Sequence, residues 1–199
     1  MGKPLITIVD YSCGNIASLR QAFIHQGANV EVASTPEKIR FASILVLPGV
    51  GSFPTAMAKI KEMGMYSSIK KHVADGKPLA GICLGMQLLF QKTEEGNVKG
   101  LGIIKGYVKK FSEKVKVPQM GWNTLENLES KLFNNINEGE YMYLVHSYYV
   151  PIVPETIGTS EYDLKYSIAV KKNNFYGVQF HPEKSSFSGN KLLNNFLKI

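Results

Sequence analysis

The stretch from Pro78 to Gln91, PLAGICLGMQLLFQ, restricts the possible folds of this chain more than any other. Its short apolar run Leu79-Ala80-Gly81-Ile82 reads as a buried strand. Leu84 to Gln91 has helical character, with Leu84, Leu88 and Leu89 toward one side. Cys83 therefore stands at a sharp strand-to-helix turn between Gly81 and Gly85. This is a nucleophile elbow with cysteine in place of serine. Glycines two residues to either side let the chain turn without Cβ clashes. A thiol at a helix N-terminus is biased toward thiolate, the nucleophilic form. Free cysteines in general are buried structural residues. The glycine pair, the strand-to-helix context and a His-Pro-Glu far downstream set Cys83 apart from that habit.

The downstream signal is the run from Phe175 through His181-Pro182-Glu183. Pro182 biases His181 to extended backbone, where residues i and i+2 point to the same side. Glu183 is then expected to reach one imidazole nitrogen while the other faces Cys83. A nucleophile, a base and an acid that orients the base are the three parts of covalent catalysis by a triad. A second histidine, His146, is a competitor base, but it has no acid two residues on.

Before the elbow, the chain alternates strand and helix. Leu5 to Asp10, Asn29 to Ala33 and Ser43 to Leu47 read as strands; Ile16 to Gln26, Pro36 to Arg40, Pro54 to Met63 and Tyr66 to Asp75 read as helices. That alternation predicts a mostly parallel, doubly wound sheet. The turn Pro48-Gly49-Val50-Gly51 comes straight off the third strand, and its glycines leave backbone N–H groups free to serve as oxyanion donors. After the elbow, Thr93 to Gly106 reads as a loop into strands, and Pro118 to Asn123, with the lone Trp122, as a loop. Leu132 to Ile136 reads as a short helix and Glu140 to Val150 as one strand. Thr156 to Tyr162, Tyr166 to Lys172 and Phe175 to Phe180 suit an added antiparallel sheet at the edge, and Ser188 to Lys198 closes as an amphipathic helix.

G-I-C-L-G-M-Q around Cys83 and Q-F-H-P-E-K-S around His181 together resemble the class I, or triad, glutamine amidotransferases. The likeness spans essentially the whole chain and extends to the glutaminase subunits of imidazole glycerol phosphate synthases. It implies one amidotransferase domain over residues 1–199, an α/β three-layer fold with a mostly parallel mixed sheet of flavodoxin-like type. The catalytic residues implied are Cys83, His181 and Glu183, with Val50 and Leu84 N–H groups as the oxyanion hole. Gly49, Gly51, Gln87, Ser147, Tyr148 and Tyr149 match segments that bind glutamine. The activity implied is hydrolysis of glutamine to glutamate and ammonia through a Cys thioester. The ammonia passes to a (β/α)₈-barrel synthase subunit in a heterodimer that serves histidine biosynthesis, and Trp122, Asn123 and Lys184 are the interface residues expected. Two positions depart from the family pattern: Ser12 where a glycine is usual, and Gln119 where a histidine is usual. A paralogous subunit feeding ammonia to surface-sugar amidation, and a cysteine peptidase or stress-type α/β protein, are the alternatives.

Composition bounds the rest. At 199 residues the chain is long enough for one well-buried α/β core. No apolar run reaches the length of a membrane helix, and Met1-Gly2 opens neither a signal peptide nor a myristoylation motif, so a cytoplasmic protein is expected. Its two cysteines, Cys13 and Cys83, are then expected to be reduced, with Cys13 incidental. The net charge of +7 is spread over scattered lysine pairs, a solvated basic surface with no nucleic-acid motif. His25 and His72 lack metal-ligand spacing, there is no phosphate-binding loop, and neither metal nor cofactor is expected.

Overall fold

The computed structural model describes residues 3–199; Met1 and Gly2, on which the reading of amino-terminal processing rested, lie outside the described residues. In chain order the first half comprises β1 (Leu5–Val9), α1 (Ile16–His25), β2 (Asn29–Ala33), α2 (Pro36–Phe41), β3 (Ile44–Leu47), α3 (Phe53–Glu62), α4 (Met65–Ala74), β4 (Leu79–Ile82) and α5 (Leu84–Leu88). The second half comprises β5 (Phe90–Thr93), β6 (Ile104–Lys110), β7 (Gln119–Thr124), β8 (Tyr141–His146), β9 (Tyr148–Tyr149), β10 (Thr156–Tyr162), β11 (Leu164–Lys172), β12 (Phe175–Val178) and α6 (Ser186–Phe196). Among the described residues seven strands form one sheet in the order β10-β11-β12-β4-β3-β1-β2. Its pairs from β12 to β2 are parallel, and β11 and β10 continue the same sheet antiparallel. The expected antiparallel addition is therefore an extension of the main sheet at one edge.

Two-residue alternation along the strands sorts the core into two layers. Ile6 and Ile8 of β1, Val46 of β3, and Tyr176 and Val178 of β12 face α1 and α6, against Phe23, Leu192 and Phe196. Val9, Leu45, Leu47 and Phe175 face the other way, against Ile39, Met57, Ile60 and Ile69 of α2 to α4. Helices cover both sides of the sheet because strands buried on both faces need both covered. Local chemistry starts the helices. Asn15 accepts from the Ser18 N–H at the head of α1, Ser52 accepts from the Thr55 N–H at the head of α3, and Pro36 opens α2.

Four elements differ from the expectation. The elbow helix stops at Leu88, well before Gln91. The carbonyls of Leu88, Leu89 and Phe90 accept from the N–H groups of Leu101, Ile103 and Gly102, which tie the chain past Leu88 to the following loop. A chain segment from the following loop thus satisfies those acceptors and turns Phe90 into a strand. The segment from Gln119 is a strand, since β7 pairs with β8 over six residues, from Gln119↔His146 to Thr124↔Tyr141. The expected strand from Glu140 breaks at Ser147, and β9 pairs with β6 in a different sheet. The helix around Leu132 is a single 3-10 turn, Lys131–Phe133.

The tightest packing lies at the elbow. A Cβ on Gly85 would overlap the Leu47 carbonyl of β3, one on Gly81 would sit 2.6 Å from the Gly85 carbonyl, and one on Gly49 would sit 2.5 Å from the Leu84 Cβ. None of these glycines has positive φ, so they are required by close approach rather than by turn conformation. Gly85→Ala is expected to destabilise the fold by at least ~2 kcal/mol, because rigid backbone has to move. Urea denaturation of the variant beside wild type measures this, and an unchanged midpoint would contradict it.

Candidate active site

Cys83 lies between β4 and α5 with φ 53° and ψ −110°, a backbone that non-glycine residues seldom adopt. Such strain costs of order 1–3 kcal/mol and persists only where the surroundings enforce it. Here they do. The Cys83 N–H is bound to the Val178 carbonyl, its own carbonyl accepts from Met86 and Gln87, and Gly81 and Gly85 close around it. The residue is buried, with its Sγ 3.9 Å from the Val145 carbonyl.

His181 is fixed from several sides. Its N–H donates to the Tyr143 carbonyl at 2.9 Å, and its carbonyl accepts from the Ser185 hydroxyl at 2.6 Å. That hydroxyl in turn accepts from the Tyr143 N–H at 3.0 Å. His181 has extended backbone, as Pro182 requires. Residues Pro182–Lys184, however, form a 3-10 turn, so Glu183 reaches the ring by folding back rather than by strand alternation. The Nδ1–Oε1 distance is 2.8 Å, and the two side chains are 2% and 5% exposed. Burial alone would lower the His181 pKa, but Cys83 and Glu183 outweigh it and push it up to about 10. The other ring nitrogen, Nε2, is buried with no conventional hydrogen-bond partner.

A cavity of about 230 Å³ opens beside the sulfur. Cys83, Leu84 and Gln87 form one wall, Val50 and Gly51 a second, and Ser147 and Tyr148 a third. At ~30 Å³ per water, it has room for a small amino acid. Leu84 stands at the first position of α5, where an N–H has no intrahelical acceptor. Neither its N–H nor that of Val50 is taken by another acceptor among the described residues. Gly49 and Tyr149, also expected at the site, do not line the cavity. Gly49 is wedged against Leu84 and Gly85, and Tyr149 stacks on Phe111 with centroids 4.8 Å apart.

Three side chains at this site escaped the sequence reading. Glu95 lines the cavity while accepting from the Phe53 N–H at the head of α3, 2.9 Å away. Tyr11, fully buried, donates its phenol to the Pro48 carbonyl and so braces the Gly49-Val50 turn; burial raises its pKa. Gln179 lies against Cys83 itself, with Nε2 3.6 Å from Sγ. Tyr11 and Gln179 had only their apolar or motif neighbours to mark them, and Glu95 sat in a glycine-rich loop. Ser12, where the sequence resemblance implies glycine, has positive φ at 62°, and its N–H donates to the Asp10 carboxylate at 2.9 Å.

His146 is expected to play no part as a base. Its Nδ1 donates to the Tyr148 carbonyl at 2.8 Å, and burial pushes its pKa down to about 4. Of the expected interface residues, Trp122 is half-exposed on β7 and packs edge-on to Tyr143 at 6.0 Å. The Lys184 ammonium lies 5.9 Å from the centre of the same Tyr143 ring. Asn123 turns to the opposite face and donates to the Glu161 carbonyl at 2.9 Å. Gln119 is buried on that face too, accepting from the Tyr166 hydroxyl at 3.1 Å. No cluster of metal-ligating side chains occurs among the described residues. No helix there is long and apolar enough to cross a membrane.

The family model for "Glutamine amidotransferase class-I" matches residues 7–199. A protein of Sulfurimonas denitrificans named "Imidazole glycerol phosphate synthase subunit HisH" is 45% identical, covering 98% of both chains. One of Methanococcus maripaludis, "Imidazole glycerol phosphate synthase subunit HisH 2", is 44% identical over 98% of this chain and 99% of its own. The fold is that of a solved glutamine amidotransferase at TM-score 0.77 and 18% identity, covering 96% of this chain and 97% of that one. The structure of PurLQS from Thermotoga maritima superposes at TM-score 0.77 and 21% identity, covering 98% of each chain.

The raised His181 pKa sets a pH dependence. The ring's folded value, about 10, lies above its ordinary 6.5, so the folded state holds a proton that the unfolded chain releases. The stabilisation is complete below about 6.5 and fades as pH rises toward about 10. Urea titrations are expected to show stability falling across that window in wild type, and a flatter profile in His181→Gln.

Proposed function

Because the chain belongs to the class-I glutamine amidotransferase family, we propose that it is the glutaminase subunit of an imidazole glycerol phosphate synthase. One observation carries the reading. An elbow cysteine, a His181–Glu183 pair bonded at 2.8 Å and an amino-acid-sized cavity meet in a chain 45% identical to a subunit of that name.

Cys83 attacks the side-chain carboxamide of glutamine, and the Val50 and Leu84 N–H groups receive the oxyanion. His181, protonated at rest, gives its Nε2 proton to the departing ammonia and leaves a thioester. The neutral ring then takes a proton from water, whose oxygen attacks the thioester and releases glutamate. Glu183 holds Nδ1 protonated throughout, keeping Nε2 as the working nitrogen. Glu95 offers a carboxylate to the substrate ammonium, while Gln87 and the Ser147-Tyr148 backbone shape the rest of the cavity.

The partner reading rests on the β7–β8 ribbon. Cross-strand register places Trp122 opposite Tyr143 and Met120 opposite Val145, on one face. Met120, Trp122 and Tyr141 are the exposed members of that apolar face, whereas Val145 lines the cavity. An apolar surface running from solvent to the nucleophile suits a partner that takes up ammonia there. That partner is a synthase subunit of (β/α)₈-barrel type, which uses the ammonia to make imidazole glycerol phosphate and an aminoimidazole carboxamide ribotide for histidine synthesis. Lys184 borders the same face, and Asn123 supports it from behind by its bond to Glu161.

The test is glutamate release from glutamine by the purified chain, alone and then with the barrel subunit and its ribonucleotide substrate. Stimulation by both is expected, and stimulation by neither would sink the partner assignment. Cys83→Ala is expected to lower turnover by on the order of 10⁴-fold or more. Trp122→Ala is expected to weaken association about tenfold or more while leaving Cys83 reactive, as titration calorimetry and thiol labelling would show.

A further inference from the structure

Gln179 is fully buried one step past β12, two residues before His181, and its side chain is aimed at the sulfur. Which end of its amide faces Cys83 follows from a chain of hydrogen bonds. The Tyr148 carbonyl can only accept, so the Gln87 side chain must present its NH₂ there, at 2.9 Å. The same NH₂ donates to the Gln179 Oε1 at 2.9 Å. With its oxygen so engaged, Gln179 turns its own NH₂ to Sγ, 3.6 Å away. The sulfur thus meets an acceptor, the Val145 carbonyl, on one side and a donor, Gln179, on another. A thiol donates to the first, and a thiolate accepts from the second.

We propose that Gln179 is a further catalytic residue, one that binds the ionised sulfur of Cys83 through a side-chain N–H whose direction is set by Gln87 and the Tyr148 carbonyl. This rests on Cys83 being the nucleophile. The charged group beside the sulfur is the His181 ring, backed by Glu183, while the Tyr11 phenol is engaged with Pro48. Gln179 is thus a neutral donor whose hydrogen bond is charge-assisted once the sulfur ionises. The relay also ties the nucleophile to the cavity wall, because Gln87 and Tyr148 both line it.

The experiment follows the alkylation of Cys83 by chloroacetamide at pH 7, together with glutaminase kinetics in the complex with the synthase subunit. Alkylation needs an ionised sulfur but no oxyanion hole and no activated water, so it isolates the proposed contact. Gln179→Glu keeps the shape and still accepts from Gln87 but sets a carboxylate oxygen against the sulfur. Gln179→Met removes the donor without adding charge. In Gln179→Glu, alkylation is expected to slow at least about tenfold and kcat to fall at least about 100-fold, with KM changed by less than about threefold. Gln179→Met is expected to show the same pattern in weaker form. Circular dichroism and partner binding identify which variant is folded. A folded variant of either kind that alkylates at the wild-type rate overturns the proposal. If wild type alkylates readily but releases no glutamate, the glutaminase reading fails while the sulfur contact is still judged by alkylation alone.

Discussion

The site depends on backbone packed directly against backbone. Gly85 of α5 lies on the Leu47 carbonyl at the end of β3, and Gly81 lies under the Gly85 carbonyl. That contact pulls the first turn of α5 down onto the sheet and leaves Cys83 as the residue that absorbs the change of direction, with φ at 53°. The strain is stored locally and balanced by the parallel strands β3, β4 and β12, buried on both sides. The same packing carries Leu84 next to Gly49, so the two candidate oxyanion donors come from segments in contact. Position here is a product of volume exclusion more than of any single hydrogen bond.

The electrostatics builds on that geometry. A histidine this deeply buried would ordinarily be neutral, and His146 is: burial takes its pKa down to about 4. His181 goes the other way because Glu183 and the sulfur stand on either side of its ring. Two histidines in similar burial thus take opposite charge states. Their neighbours explain it, since His181 has the sulfur and a carboxylate beside its ring and His146 Nδ1 meets only a neutral carbonyl. The Tyr148 carbonyl recurs in both halves of the site, receiving His146 and Gln87 together.

The β7–β8 ribbon connects this chemistry to the surface. Strand alternation gives it one inward face, with Gln119, Asn123 and His146 hydrogen-bonded beside the buried Met142 and Leu144, and one outer apolar face that ends at Val145 beside the sulfur. Gln119, on the inward face, accepts from the Tyr166 hydroxyl inside the protein. Its side chain therefore belongs to the internal network behind the ribbon and has no part in the exposed aromatic face.

Much of this protein was legible in the residues alone. The strand–helix alternation up to Ile82, the elbow with its two glycines and the His-Pro-Glu run all depend on near neighbours in sequence, where period and sterics decide. Hence β1, β2, β4 and α1 to α4 fall within a residue or two of their expected places. What sequence could not decide was competition for hydrogen bonds between distant segments. The carbonyls that end α5 are claimed by Leu101 to Ile103, the loop around Trp122 becomes a strand because β8 lies beside it, and Glu183 folds back through a 3-10 turn. Glu95, Tyr11 and Gln179 acquire roles only by proximity to Phe53, Pro48 and Cys83, each far away in the chain. The chemistry was written in local motifs. Its polar support, in which each buried donor must find an acceptor wherever the fold supplies one, was decided by tertiary structure.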